Sequence, residues 1–373
     1  MRKILFHLNC FEQGGTERAV SNLANWLVQE DYDIIAATQW QGECEFSLDN
    51  KVRRIHVGLK EDDEKKNRLT KIFLRFQYLR DLIKKEQPDI VISFTRRPNY
   101  RALISCMGTR IPLITAVRQD PKSYYNSVAD KILIPLLYPL STGSVFQTEE
   151  QMQCFPKSLQ KRATVILNPI NDKYLNIPKP KEREKVVVQS GRLVEFKNQA
   201  MLLRAFVKVH EKHPDYSLKI YGGDSFDGTK QKLEAIITEY QAYDYMKLMG
   251  PSDSLEKELP KASVYAFSSD YEGMPNALLE AMVLGMPVVA TDCPCGGPRT
   301  VMVHEENGLL IPVGDEKAMT ESINRLIEDR DFAERLGENA RKISKKIERT
   351  AVLSMWKDYI EETILRANAR KGK

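Results

Sequence analysis

The chain has 373 residues, 42% hydrophobic and 29% charged, with a net charge of +5. At about 150 residues per domain this length predicts two domains with ample core, and the composition excludes a disordered chain. No stretch reaches the ~18 apolar residues that a membrane span requires, and the apolar run after Met1-Arg2-Lys3 ends at His7, too soon for a secretory signal.

Strand and helix patterns alternate along the chain, as in parallel sheets covered on both faces. Lys3–Leu8 reads as a first strand, followed by a Gly14-Gly15 turn and a helix from Thr16 whose inner face carries Ala19, Val20, Leu23 and Leu27. Asp33–Thr38, Asp89–Phe94, Pro112–Val117 and Ser144–Thr148 read as further strands of the first sheet. Between them, Arg68 to Lys85 has Leu69, Ile72, Phe76, Leu79 and Ile83 at helical spacing, with Arg68, Lys71 and Arg75 on the flank of that stripe. Two readings stand side by side. Either the apolar stripe covers the sheet and the basic side is solvated, or the helix lies on an anionic membrane or grips a polyphosphate. A boundary is expected near Asn168-Pro169-Ile170-Asn171, and Ile177 to Lys185 has the composition of a linker. A second alternation runs through Val186–Val188, Ser217–Tyr221, Lys247–Gly250, Ser263–Phe267, Pro287–Thr291 and Gly308–Ile311. Helices are expected from about Asp315 to Glu328, Asp331 to Glu348 and Ala351 to Arg366.

Charge is uneven. Residues 1–170 hold 25 Lys and Arg against 19 Asp and Glu, and Lys65 to Arg101 alone hold eleven basic and three acidic residues. The first part of the chain therefore suits an anionic partner. Nucleic acid is a poor candidate, because aromatic-interleaved basic strands and recognition-helix signatures are missing. The six cysteines form no CxxC pair; Cys293 and Cys295 do not complete a zinc site, and reduced thiols in a cytoplasmic protein are expected. No carboxylate cluster suggests a required metal.

Three motifs carry the chemistry. Glu272-Gly273-Met274-Pro275-Asn276-Ala277-Leu278-Leu279-Glu280 puts two carboxylates eight positions apart across a strand–turn–helix junction, with Pro275 expected at the first helical position. In the plain reading Glu272 is a carboxylate at a helix start and Glu280 a solvated side chain. Upstream stands Ser190-Gly191-Arg192-Leu193-Val194-Glu195-Phe196-Lys197-Asn198-Gln199, and near the beginning Gly14-Gly15-Thr16-Glu17.

The first motif resembles the E-x7-E motif of the retaining nucleotide-sugar glycosyltransferases of family 4. The second is similar to that family's G-R-x4-K-N diphosphate segment, and the third to its G-G-x-E loop. The resemblance spans most of the chain and implies a GT-B fold of two facing Rossmann-like domains. An acceptor-side domain would cover 1–170 and a nucleotide-sugar domain 171–349, while a helix in 350–373 returns to the first. It implies no required cofactor, with a UDP-sugar as co-substrate. By resemblance, Arg192 and Lys197 bind the donor diphosphate, Gly14 and Gly15 approach its phosphate, and Glu272 sits beside the transferred sugar. The Gly273, Met274, Pro275 and Asn276 turn contacts sugar hydroxyls, Glu280 takes the ribose and Gly250-Pro251 faces the base. Two departures stand out. Arg118 follows a strand where the family often has histidine, which makes it a candidate for holding an anionic group. Thr300 stands where the loop from Cys293 usually leads to glutamate.

The expected activity is retaining transfer of a hexose or N-acetylhexosamine from a UDP-sugar to a growing glycan. The acceptor expected from the basic region is polyprenyl-diphosphate-linked, at the inner face of the cell membrane. A nucleotide-sugar 2-epimerase or phosphorylase, a transferase with a soluble acceptor, and a binding module without turnover are the alternatives.

Overall fold

The computed structural model describes residues 1–12 and 14–371, in two compact units: Met1–Pro169 with Thr350–Lys373, and Ile170–Arg349. The N-terminal unit holds β1 (Lys3–Leu8), β2 (Asp33–Thr38), β3 (Arg53–His56), β4 (Ile90–Phe94), β5 (Leu113–Ala116), β6 (Gly143–Phe146) and β7 (Ala163–Val165). They form one parallel sheet in the order β3-β2-β1-β4-β5-β6-β7. The C-terminal unit holds β8 (Glu184–Ser190), β9 (Ser217–Tyr221), β10 (Met246–Gly250), β11 (Ala262–Phe267), β12 (Val288–Thr291) and β13 (Leu309–Ile311). Its parallel order is β10-β9-β8-β11-β12-β13.

In both sheets the chain winds outward from the first strand, then returns to pair a later strand on that strand's other side. Ligands of open α/β sheets bind at the carboxyl ends of the two strands where this reversal occurs. Those strands are β1 and β4 in the N-terminal unit, and β8 and β11 in the C-terminal unit.

The central strands are continuous apolar runs because helices cover both faces; Ile4, Leu5, Phe6, Ile90, Val91 and Ile92 are all fully buried. The edge strands β3 and β7 were not expected from the sequence. Arg53-Arg54-Ile55-His56 is charge-rich and only partly buried, as an edge tolerates. Several boundaries differ. Residues 331–348 form two helices, Arg330–Arg341 and Ser344–Ile347, and the expected linker gives way to β8 at Glu184.

Helix α1 spans Gly15–Gln29, α2 Arg68–Glu86 and α3 Arg96–Cys106. The stripe on α2 does not cover the sheet along its length. Leu79, Leu82 and Ile83 are buried, but Leu69 is 80%, Phe73 63% and Ile72 41% exposed. The first half of α2 therefore presents apolar side chains to solvent beside Arg68, Lys71 and Arg75.

The helix Arg349–Lys371 belongs to the N-terminal unit. Trp356 packs on Phe94 with ring centroids 5.7 Å apart. The buried Tyr359 hydroxyl accepts from the Ser144 amide at 2.9 Å and donates toward the Arg162 carbonyl.

Candidate active site

In the C-terminal unit the loop after β8 leaves at Gly191, with φ +151°. A Cβ there would stand 3.4 Å from Lys197 Cε, so the lysine stem lies against the backbone that Arg192 follows. Lys197 does not open a helix. It ends a single 3-10 turn, Glu195–Lys197, and the helix Gln199–Lys212 begins after Asn198. Asn198 takes the left-handed conformation (φ 46°, ψ 42°), which asparagine tolerates, and its side chain caps the helix by accepting from the Met201 amide. It also donates to Asp270 Oδ1 at 2.7 Å, while the Asp270 amide donates to the Phe196 carbonyl at 2.8 Å. These two bonds tie the loop after β8 to the loop after β11, the pair of strands at the reversal. Burial raises the Asp270 carboxyl above its ordinary range.

Lys197 and Glu272 meet across this junction. The lysine Nζ donates to Glu272 Oε1, and their side chains are only 14% and 16% exposed. Nζ lies 5.9 Å from the Phe196 ring and 5.7 Å from the Phe267 ring, within cation–π range. Phe196 in turn stacks on Tyr271 at 4.9 Å. The Glu272 amide donates to the Pro294 carbonyl at 2.8 Å, and the Cys295 amide donates back to the Glu272 carbonyl at 3.1 Å. The loop after β12 thus fixes the Glu272 backbone. Burial, then the nearby Glu272 charge, pushes the Cys293 thiol up to about 12, so it stays protonated. Arg192 is exposed, and no described carboxylate pairs with it.

Pro275 is the N-cap of the helix Asn276–Val283 and not its first residue; φ −76° and ψ 110° leave it extended. Glu280 is not a solvated side chain: it is buried, with 7% exposure. The fully buried Tyr265 lies near both carboxylates, with its hydroxyl 3.2 Å from Ser190 Oγ. Burial raises the Tyr265 hydroxyl above its ordinary range, and the Glu280 and Glu272 charges push the same way.

Close backbone approach holds the neighbouring loops. The Gly191 amide donates to the Tyr221 carbonyl, Gly222 to Gly250 and Leu193 to Gly223, each at 2.9 Å. A Cβ on Gly222 would stand 1.9 Å from the Gly191 oxygen, and one on Gly297 2.0 Å from the Gly273 oxygen. Gly250, at φ +73°, leads into Pro251 at the same carboxyl edge.

The expected residues of the N-terminal unit fall in two places. Gly14 caps α1 in an extended conformation (φ −157°), so it does not use the left-handed freedom of glycine. Arg118, after β5, is buried; its guanidinium donates to Asn168 Oδ1, and its Nε is buried without a described partner. Burial pulls Arg118 down to about 10, against the nearby Glu17 charge. The Gly14–Glu17 turn and Arg118 thus share one edge of the sheet. Arg68, Lys71 and Arg75 lie elsewhere on that unit and line a separate cavity of about 720 Å³.

Sequence reasoning missed Asp270, Phe267, Ser268 and Tyr271, which support Lys197 and Glu272. The Asn198–Asp270 partnership spans 72 positions and leaves no local pattern. Among the described residues no group of three or more His, Cys, Asp or Glu could hold a metal, and no helix is long and apolar enough to cross a membrane.

Comparison with known proteins assigns the family. The family model "Glycosyltransferase Family 4" matches residues 13–172, and "Glycosyl transferases group 1" matches residues 171–343. A Campylobacter jejuni N-acetylgalactosamine-N,N'-diacetylbacillosaminyl-diphospho-undecaprenol 4-alpha-N-acetylgalactosaminyltransferase is 30% identical over 65% of this chain and 67% of its own length. A second protein of that organism is an alpha-1,4-N-acetyl-D-galactosaminyltransferase named for a diNAcBac-PP-undecaprenol-linked glycan. It is 24% identical over 97% of this chain and 99% of its own. An exopolysaccharide phosphotransferase of Streptomyces coelicolor is 27% identical over 95% of this chain, which spans only 40% of that relative's length. Among solved structures, Anabaena HepE in complex with UDP and glucose superposes with a TM-score of 0.82 at 18% identity. That match covers 97% of this chain and all of the other (100%). Two parallel Rossmann-like sheets of this kind define a glycosyltransferase of GT-B fold. The chain belongs to glycosyltransferase family 4.

Proposed function

We propose that this protein is a retaining transferase that moves a hexose or N-acetylhexosamine from a UDP-sugar to a glycan growing on a polyprenyl diphosphate. The observation that carries the reading is the Lys197–Glu272 pair at the reversal of the C-terminal sheet, on the same loop system as the exposed Arg192. Transfer breaks the anomeric C–O bond and leaves a diphosphate of growing negative charge. Positive charge already in place there is the largest single contribution to rate. Arg192 and Lys197 supply it, doing a divalent ion's work. Glu272 accepts hydroxyls of the transferred sugar, with the Gly273–Asn276 turn beside it. Glu280 accepts the ribose hydroxyls, and Gly250-Pro251 borders the base. Retention follows from attack on the face the diphosphate leaves, with the leaving phosphate taking the acceptor's proton. The names of the two Campylobacter relatives, both built on undecaprenol-linked diphosphates, support the acceptor class, and the UDP bound to HepE supports the donor.

The test is a panel of nucleotide sugars with a polyprenyl-diphosphate-linked acceptor, reading nucleotide release and the anomeric configuration of the product by NMR. An inverted product overturns retention, and turnover that needs no acceptor points to an epimerase. Glu280→Ala is expected to weaken UDP and uridine binding together by about 1.5–3 kcal/mol, roughly ten- to a hundredfold, since one charged partner to ribose is lost. Calorimetric titration of both ligands checks this; unchanged affinity would remove Glu280 from the site.

The protein is further proposed to work on the inner membrane face, touching it through the first half of α2. Leu69 and Phe73 are exposed beside a row of basic residues, the arrangement of an interfacial amphipathic helix. Leu69→Gln with Phe73→Gln is expected to cut flotation with anionic liposomes by about tenfold or more, since each apolar side chain contributes about 1.5–3 kcal/mol when taken from water. The melting temperature should hold, because neither side chain is in the core. Equal flotation of variant and parent would count against membrane contact by this helix.

A further inference from the structure

Arg101 is a buried cation with no described carboxylate beside it. It is 9% exposed, and its hydrogen-bond partners are both neutral. Its Nε donates to His7 Nε2 at 3.2 Å, and one terminal nitrogen donates to Asn9 Oδ1. His7 is fully buried in β1, and its Nδ1 is 3.0 Å from the Ala37 carbonyl, which only accepts. Nδ1 therefore carries the hydrogen and Nε2 accepts from Arg101. Burial, then the Arg101 charge, pulls His7 down to about 3, so the ring stays neutral across the physiological range. The histidine aims the arginine without neutralising it. Burial also pulls Arg101 down, to about 9, with Arg75 and Arg97 adding repulsion.

A buried charge without a counter-charge is costly unless something compensates it. Here Arg101 opens onto the 720 Å³ cavity, whose lining holds six Lys and Arg and no carboxylate. Lys66 and Lys71 are paired with carboxylates outside the lining, Asp63 at 2.7 Å and Glu64 at 2.8 Å. Arg68, Arg75, Arg97 and Arg101 have no such partner among the described residues. The lining also carries apolar side chains: Ile72 and Phe76 from α2, Ile104 from α3 and Leu133 from the helix Val128–Leu137. That last helix continues the apolar surface outward, with Ile132 61% and Leu136 64% exposed. The cavity stands at the carboxyl ends of β1 and β4, where the order of the N-terminal sheet reverses.

We propose that this cavity is a binding site for a diphosphate ester on an aliphatic chain, with Arg101, Arg97 and Arg75 holding the diphosphate and Ile72, Phe76 and Leu133 holding the first isoprene-like carbons. Four unpaired guanidinium groups match the two phosphates through paired, charge-assisted bonds. These apolar side chains separate this ligand from a nucleotide diphosphate, whose ribose and base need polar partners there. The proposal rests on the lipid-linked acceptor reading, and gives that acceptor its binding residues.

Farnesyl diphosphate serves as a soluble probe in calorimetric titration of the full chain, beside inorganic pyrophosphate and UDP. The parent is expected to bind farnesyl diphosphate at least tenfold more tightly than pyrophosphate, and without competition from UDP. Arg101→Gln should weaken farnesyl diphosphate roughly ten- to a hundredfold, the range for losing a charged hydrogen-bonding partner, while leaving UDP affinity unchanged. Where Arg101→Gln fails to fold, the double variant Arg75→Gln with Arg97→Gln decides, since neither side chain is in the core; a similar loss is expected. Full competition by UDP, or farnesyl diphosphate binding that neither variant changes, would overturn the site. Equal affinity for pyrophosphate would overturn the apolar half of it. These readouts are direct binding, so an absence of sugar transfer from any UDP-sugar would sink the proposed reaction while leaving this site standing.

Discussion

Lys197→Ala is expected to lower kcat by about 10²-fold or more, the loss measured when one preorganised charge stabiliser is removed from an active site. The reason is that the lysine side chain is 14% exposed and its ammonium lies 5.9 Å and 5.7 Å from two aromatic rings, where a charge acts through a low dielectric. Glu272→Ala should also lower kcat more than donor affinity, because its proposed partner is the sugar at the reacting centre. The two residues form one ion pair, so their effects should not add. The double variant is expected to lose less than the product of the single losses, since each single variant leaves the other charge half-buried and unpaired. Steady-state kinetics on the four proteins measures this. A Lys197→Ala enzyme that turns over like its parent would remove the pair from the reaction.

Gly222→Ala should unfold or loosen the loops after β8 and β9, while Gly223→Ala next to it should be nearly silent. A methyl group on Gly222 would stand 1.9 Å from the Gly191 oxygen, 2.8 Å from its carbonyl carbon and 3.4 Å from the Arg192 nitrogen. Those atoms are backbone and cannot swing aside. The loops after β8 and β9 must separate, at the expense of the Gly222–Gly250 and Leu193–Gly223 hydrogen bonds. A cost on the order of 2–4 kcal/mol is expected, as for other overpacked or strained positions. That corresponds to a fall of roughly 5–15 °C in the melting temperature of a unit of this size. Nothing lies within 4 Å of the same methyl on Gly223. Matching melting curves for the two variants would show that the loops are not held by this approach.

The interior of both sheets was legible because strands buried on both faces are unbroken apolar runs. Val187 and Ile92 leave no other reading. The edges of the N-terminal sheet were not, since Arg53-Arg54-Ile55-His56 owes its strand conformation to pairing with β2 and not to its own composition. Helical spacing located α2 but could not say what covers its stripe, and half of it turned out to face solvent. In the candidate site, local motifs singled out Arg192, Lys197, Glu272 and Glu280. The contacts among these and their neighbours join distant segments, such as Lys197 with Glu272 across 75 positions and Arg101 with His7 across 94. No local pattern encodes such pairs, and the sequence showed Glu280 without showing that it is buried.

The helix carrying Trp356 and Tyr359 has a consequence for how the chain is made. The N-terminal unit needs a segment that leaves the ribosome only after the whole of the C-terminal unit has been translated. The C-terminal unit is continuous and can finish folding first. Until Thr350 and its successors emerge, the face around Phe94 lacks its cover and the backbone of β6 lacks the Tyr359 hydroxyl. Nascent chains halted before this point should therefore expose sticky surface in their first half while their second half is already native. Premature stop codons late in the gene would produce aggregation and chaperone capture, and not a partly active enzyme.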